Sequence, residues 1–463
     1  MRRRRRQHPG LHPRPRARCD HYVTGSGVHQ PLPGLGLRHA GHPGDRHRWR
    51  RHLDRSLSRA TLARPAWSLL GPAFVAAIAY VDPGNIAANF SAGSQFGFLL
   101  VWVIVAANIM AGLVQYLSAK LGLVSGLTLP EAVRDRTRSS TRIAYWLQAE
   151  LVAVATDIAE IIGGAIALRL LFDLPLVLGG IITGAVSLVL LTFGDRHGQR
   201  QFERLITGML LVIAVGFLAS LVVRPPAAAD VVGGLVPRFE GVQSVLLATA
   251  MLGATVMPHA VYLHSALARD RHGHPPPGED RATLLKATVW DVGLAMLVAG
   301  TVNMALLLVA ATNLRGRNID TIEGAHGAVG TELGPFVALL FAIGLLASGL
   351  ASTSVGAYAG AMIMQGLLRR TFPLLLRRLV TLVPALAVLT SGIDPTYALV
   401  LSQVVLSFGI PFALIPLVRL TADRSVMGDD ANHPVTTVLG WTVAALITLL
   451  NAILVYLSVT NGS

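Results

Sequence analysis

The stretch GPAFVAAIAYVDPGNIAANFSAGSQFGFLLVW, residues 71–102, decides the fold class. It opens as an apolar run of the kind that crosses a bilayer, which takes about 20 residues. Asp82-Pro83-Gly84-Asn85 interrupts it. Pro83 removes a backbone donor and clashes with the preceding turn, and Gly84 lowers the cost of leaving the helix. Unwound backbone at membrane depth survives only where it is buried in protein or lines a cavity. A second apolar run, 244–268, is broken in the same way at Met257-Pro258-His259.

Working outward, the whole chain fits a polytopic all-α membrane protein. Its 463 residues are 52% hydrophobic and 14% charged, against about 25% charged in a typical soluble domain. Hydropathy predicts eleven spans, near 67–95, 98–121, 143–170, 174–194, 203–223, 244–268, 283–311, 334–365, 373–391, 396–419 and 436–460. The third is interrupted by Glu150, Asp157 and Glu160. With the N-terminus inside, the inner loops and helix ends hold 18 Lys and Arg and the outer ones 5. That asymmetry predicts a multi-pass protein of the cell membrane with a cytoplasmic N-terminus and an extracellular C-terminus.

The formal net charge of +14 is not a nucleic-acid signal, because residues 1–59 hold 15 Arg and 3 Asp, hence +12, which leaves +2 for the rest. Residues 1–60 read as an Arg-rich disordered leader, or as a start assigned too far upstream, and residues 61–463 as a single transmembrane domain. A cleaved signal peptide is rejected, since its basic region would be far too long. Cys19 is the one cysteine and cannot form a disulfide within the chain.

The broken spans are the first and the sixth, the same position in two successive sets of five. Pro/Gly-interrupted helices at matching places in two halves point to an inverted-repeat transporter with its site at the midplane. A carboxylate there costs roughly 2.5–3.5 kcal/mol and is a functional candidate by default. Asp82 and Asn85 offer one charged and one neutral oxygen, and unwinding at Pro258 frees nearby carbonyls, Ala254 among them. Met257 offers a thioether. Mg²⁺ and Ca²⁺ prefer all-oxygen shells, whereas sulfur favours softer transition metals. The set suits Mn²⁺ or Fe²⁺.

In the third span Glu150 and Asp157 nearly eclipse one another and Glu160 lies a turn on, so all three share one face. Such a row reads as a polar path, with Arg377 and Arg378 as candidate partners. His259, beside the second break, suits proton coupling. His264, five residues on, lies about 140° around the helix, does not share a metal with it, and is grouped with the proton pathway.

The stretch quoted above, followed by LSAKLGL and LPEAV, resembles the start of the Nramp family of proton-coupled divalent-metal transporters, in its bacterial manganese branch. ATVMPHAVYLHSAL is similar to that family's sixth helix, and GLLASGLASTSVGAYAGAMIMQGLL and SQVVLSFGIPFALIPL to its eighth and tenth. The resemblance implies the LeuT-type fold, 5+5 inverted helices plus an eleventh. It implies a metal site of Asp82, Asn85, the Ala254 carbonyl and Met257, joined by Gln403 on closure. It also implies a salt-bridge path through His259, Asp157, Glu160 and the arginines, with Asp82 as first proton acceptor. Many members carry Asn where this chain has Ala260, and the leader has no counterpart in the family. The expected function is import of Mn²⁺, Fe²⁺ and similar ions with protons by alternating access. Metal ions, protons and the bilayer are the expected partners, with no resident cofactor and no obligate protein partner.

Two other readings remain. A sodium-coupled organic solute carrier of the same fold would offer a helix N-terminus to a substrate carboxylate, which Asp82 would repel. A membrane metalloenzyme would use Asp157, Glu160 and the histidines, but no HExxH and no nucleophile–base pair stands at useful spacing. No residue is therefore assigned a catalytic role.

Overall fold

The computed structural model describes residues 71–197, 199–315, 321–370 and 373–461, and every helix or strand among them is a helix. The predicted leader lies outside the described residues. In chain order the helices are α1 (Pro72–Ala77), continued by a 3-10 turn (Ile78–Val81), α2 (Pro83–Phe96), α3 (Val101–Ser125), α4 (Leu129–Arg136), α5 (Ser139–Phe172) and α6 (Leu176–His197). Then come α7 (Gln199–Val223), α8 (Ala228–Gly233), α9 (Gly241–Thr255), α10 (Pro258–His272), α11 (Glu279–Asn313) and α12 (Ile322–Leu333). The chain ends with α13 (Pro335–Leu368), α14 (Leu374–Thr390), α15 (Pro395–Ala422), α16 (Arg424–Met427), a 3-10 turn and α17 (Pro434–Asn461).

Eight of the described spans are long and apolar enough to cross a membrane, with α9 and α10 together counted as one of them despite the break between them. The remaining predicted segments fall on shorter apolar helices at Pro72–Val81, Leu176–Leu190 and Arg378–Thr390. The chain is a multi-pass membrane protein. The third predicted span, for all its acids, is a continuous 34-residue helix.

Packing carries the repeat that the residues themselves do not display. The second half of the first broken helix, α2, lies along α11, and the second half of the other, α10, lies along α3. The third and eighth predicted spans, α5 and α13, pack on one another. The fifth, α7, lies against α13 as the tenth, α15, lies against α5. Each pairing maps onto its partner when the two sets of five are exchanged. Close approach at these seams uses small residues, as in membrane packing generally. Gly93 of α2 lies on the Leu307 carbonyl of α11, and Gly122 of α3 lies on the backbone of Ser265 in α10.

Candidate metal centre

Both breaks are cast in one backbone mould. Proline disfavours helical backbone in the residue before it and is well placed at the first position of a helix. Asp82, at φ −69° and ψ 164°, precedes Pro83 and is the N-cap of α2. Met257, at φ −67° and ψ 123°, precedes Pro258 and is the N-cap of α10. The side chains at these two positions differ in kind. The Asp82 carboxylate caps its own helix, accepting from the Asn85 N–H at 2.8 Å. Met257 makes no such bond.

Pro258 also accounts for the free carbonyl. An α-helical carbonyl accepts from the N–H four residues on. For Ala254 that residue is Pro258, which has none. The last turn of α9 closes from Val256 N to Leu252 O at 2.8 Å. A helix C-terminus with unclaimed carbonyls is the negative end of the dipole and attracts cations.

The structure joins the two halves through Gln403 on α15. Its Nε2 donates to Asp82 Oδ2 at 3.2 Å and to Ser402 Oγ at 3.2 Å. Its Oε1 is buried without a hydrogen-bond partner. Asp82, Asn85, Ala254, Met257 and Gln403 are all at 0% exposure, so these expected ligands lie in the interior. Gly84 is what admits Gln403, because a side chain on Gly84 would overlap the Gln403 amide.

Several residues that hold this arrangement escaped the sequence reading because they are neutral and, Asn89 and Tyr80 apart, distant in the chain. Asn89 Nδ2 donates to Asn85 Oδ1 at 2.7 Å, which orients the amide one turn below it. The carbonyls exposed by the first break are claimed by other groups. Tyr80 O accepts from Asn85 Nδ2, and from Asn303 Nδ2 at 2.8 Å. Ser348 Oγ donates to Val81 O at 2.5 Å. Of these, only the i,i+4 spacing of Asn85 and Asn89 was a usable signal.

On the predicted proton side, Asp157 of α5 is paired with Arg378 of α14 at 2.9 Å, both buried. Glu160 is buried too, with its carboxylate over Gly356, and its Oε2 has no hydrogen-bond partner. Thr156 Oγ1 lies 3.5 Å from His259 Nδ1, which brings the second break next to Asp157. Glu150 is half-buried, unlike the other two acids of its face. The side chain of Arg377 lies outside the described residues.

His264 turns elsewhere. Its Nδ1 is 2.6 Å from Gln115 Oε1 on α3, and Gln115 Nε2 reaches the Tyr80 hydroxyl. It thus connects α10 to the first break and away from the Asp157–Arg378 pair.

A metalloenzyme centre needs several protein ligands of the His, Cys or carboxylate type. Among the described residues no three such side chains gather. The residues expected to hold the metal offer instead one carboxylate, two amides, a carbonyl and a thioether.

Comparison with known proteins agrees with this description. The model of the Nramp family, natural resistance-associated macrophage protein-like, matches residues 73–457. The divalent metal cation transporter MntH of Mycobacterium tuberculosis (strain CDC 1551 / Oshkosh) is 68% identical over 402 residues, 87% of this chain and 94% of the relative. The Eremococcus coleocola manganese transporter, solved with an aromatic bis-isothiourea compound, superposes with a TM-score of 0.74 at 33% identity. That match covers 83% of this chain and 85% of the other. MhsT, solved in complex with L-phenylalanine, shares the fold at a TM-score of 0.58 and 13% identity, over 84% of this chain and 98% of its own. The Mycobacterium tuberculosis and Eremococcus coleocola relatives are transporters rather than enzymes, and the LeuT-type architecture is common to the solved structures. With the family model spanning both broken helices and two-thirds of the aligned residues unchanged from a curated relative, the chain belongs to the Nramp family.

Proposed function

We propose that this protein imports Mn²⁺, Fe²⁺ and similar divalent ions into the cytoplasm, coupled to protons, by alternating access. Transport of divalent metal cations follows from the family. The observation that carries the finer reading is the fully buried Asp82 carboxylate bonded by Gln403, whose own amide oxygen is unpaired. The N-terminus is taken as cytoplasmic and the C-terminus as extracellular, in the cell membrane, on the distribution of Lys and Arg.

In this reading Asp82, Asn85, the Ala254 carbonyl, Met257 and Gln403 hold the metal. Gln403 has two uses. With no ion present its amide nitrogen steadies Asp82. When a cation arrives, half a turn of the amide brings Oε1 to it. Asn89 keeps the Asn85 oxygen in place. Met257 supplies the softer donor that Mg²⁺ and Ca²⁺ do not favour.

A proton displaced from Asp82 by the cation leaves by a separate way, through His259 and Thr156 to Asp157, Glu160 and Arg378. Arg377, Glu150 and His264 stay candidates for its outer reaches. The test is Asp82→Asn in proteoliposomes, with labelled Mn²⁺ uptake and internal pH recorded together. Both signals should vanish. Undiminished Mn²⁺ uptake by that variant would sink the assignment, and metal uptake without any pH change in the unaltered protein would sink the coupling.

A further inference from the structure

Two prolines lie inside α15, Pro411 and Pro416. Each deprives the carbonyl four residues back of its helical donor and pushes it aside. For Pro411 that carbonyl belongs to Ser407, and for Pro416 to Phe412. A buried backbone carbonyl without a donor is costly, so a partner is required.

Both partners come from other helices. Asn451 Nδ2, on α17, donates to Ser407 O at 3.0 Å, and Ser407 Oγ donates back to Asn451 Oδ1 at 2.7 Å. Tyr262 Oη, on α10, donates to Phe412 O at 3.4 Å. Ser407, Asn451 and Tyr262 are buried. Ser407 lies one turn beyond Gln403 on the same face of α15.

We propose that Asn451 is a positioning residue for the metal centre: it closes the Ser407 carbonyl left by Pro411 and so sets the bend of α15 that carries Gln403 to Asp82. The helix after the two repeats thereby takes part in the site without touching the ion. Tyr262 holds the far side of the same bend to α10, the second half of the second broken helix. The two proline carbonyls thus tie the segment bearing Gln403 to one helix outside the repeats and to one that ends at the site. This rests on the role given to Gln403 above.

The experiment uses the full chain in proteoliposomes and asks whether proline and asparagine are coupled. Asn451→Leu removes the amide at similar size and should raise the KM for Mn²⁺ about tenfold, with a smaller change in kcat. Pro411→Ala restores an N–H that can bond Ser407 O. In that background Asn451→Leu should raise KM by less than about threefold. Melting temperatures should show the same suppression. If Asn451→Leu alone does not fold, recovery of folded protein by Pro411→Ala reads the same coupling. An equal penalty in both backgrounds, or none in either, overturns the proposal. In a Gln403→Ala background Asn451→Leu should add nothing to KM. A full added penalty there removes the route through Gln403 and overturns it as well. If Gln403→Ala itself leaves Mn²⁺ uptake intact, the ligand role of Gln403 fails and the positioning role with it. An ordinary Gln403→Ala loss with an unsuppressed Asn451→Leu sinks the positioning role alone.

Discussion

Gly84→Ala is the smallest change that should disable this site. A Cβ at position 84 would overlap Nε2, Cδ and Cγ of Gln403, so the amide as a whole must swing away. Gln403 is fully buried, and Gly84 sits in the first turn of α2 behind Asp82 and Pro83. The change has two opposed terms. Replacing a helical glycine by alanine stabilises the helix by about 0.5–1 kcal/mol. Losing the Gln403 bond to the Asp82 carboxylate, at 3.2 Å, costs about 1.5–3 kcal/mol. The second term wins at the site, while the first partly protects the fold.

The expected result is therefore a protein that melts near the parent temperature but has a KM for Mn²⁺ raised roughly 10- to 150-fold. Labelled Mn²⁺ uptake over a concentration series, with thermal melting of the same preparations, measures both. Gln403→Ala should make room for the new methyl, so in that background Gly84→Ala should do little further harm. A Gly84→Ala protein with the parent KM would refute the reasoning, since it would mean that the contact between Gln403 and α2 has no part in binding.

Two more predictions concern donor softness and pH. Met257→Leu keeps the buried volume, at a stability cost under about 1.5 kcal/mol, and removes the sulfur; it should retain some Mn²⁺ uptake but let Ca²⁺ and Mg²⁺ compete better, and unchanged competition would refute the soft-donor argument. Burial pushes His326, on α12 and 6.0 Å from the Phe341 ring, below its ordinary value. The folded state then keeps the ring neutral while the unfolded chain takes up the proton, so stability is lost as pH falls below the ordinary histidine value near 6.5. His326→Gln should flatten the slope of melting temperature between pH 7 and pH 5, and equal slopes would count against it.

What the sequence made legible was whatever is local. Each apolar span announces itself by length, and each break by a proline whose effect reaches only four residues back. Ala254 could be named on that ground alone. The acids of α5 could be placed on one face, and Asp157 did find one of the two arginines proposed for it. What stayed hidden was every bond between neutral side chains on different helices. Nothing in the chain distinguishes Gln115, which links His264 to Tyr80, from any other buried glutamine. Sequence alone accordingly groups His264 with the proton path, although its hydrogen-bond partner Gln115 lies toward the first break. Asn303 and Asn451 were invisible for the same reason: a carbonyl needing a donor is inferable from proline, but the helix that supplies it is a matter of packing.

The two halves show no residue-level repeat although their packing is matched, and the cause is equally local. The mould at each break asks for little: an extended residue, then proline at the first helical position, then a helix. Asp82-Pro83 and Met257-Pro258 both satisfy it, and the backbone angles follow from the proline rather than from the residue before it. That leaves the N-cap side chain free to diverge. Aspartate is among the best N-caps, and methionine lacks the acceptor that a cap needs. Helix stability alone would therefore favour something other than Met257 at a fully buried N-cap. Under the proposed ligand set its presence is accounted for by the thioether it adds to a carboxylate that already caps its helix and already binds Gln403. Symmetry of the fold supplies two equivalent N-cap places, and in the proposed mechanism the difference between the residues that fill them is what tells soft cations from hard ones.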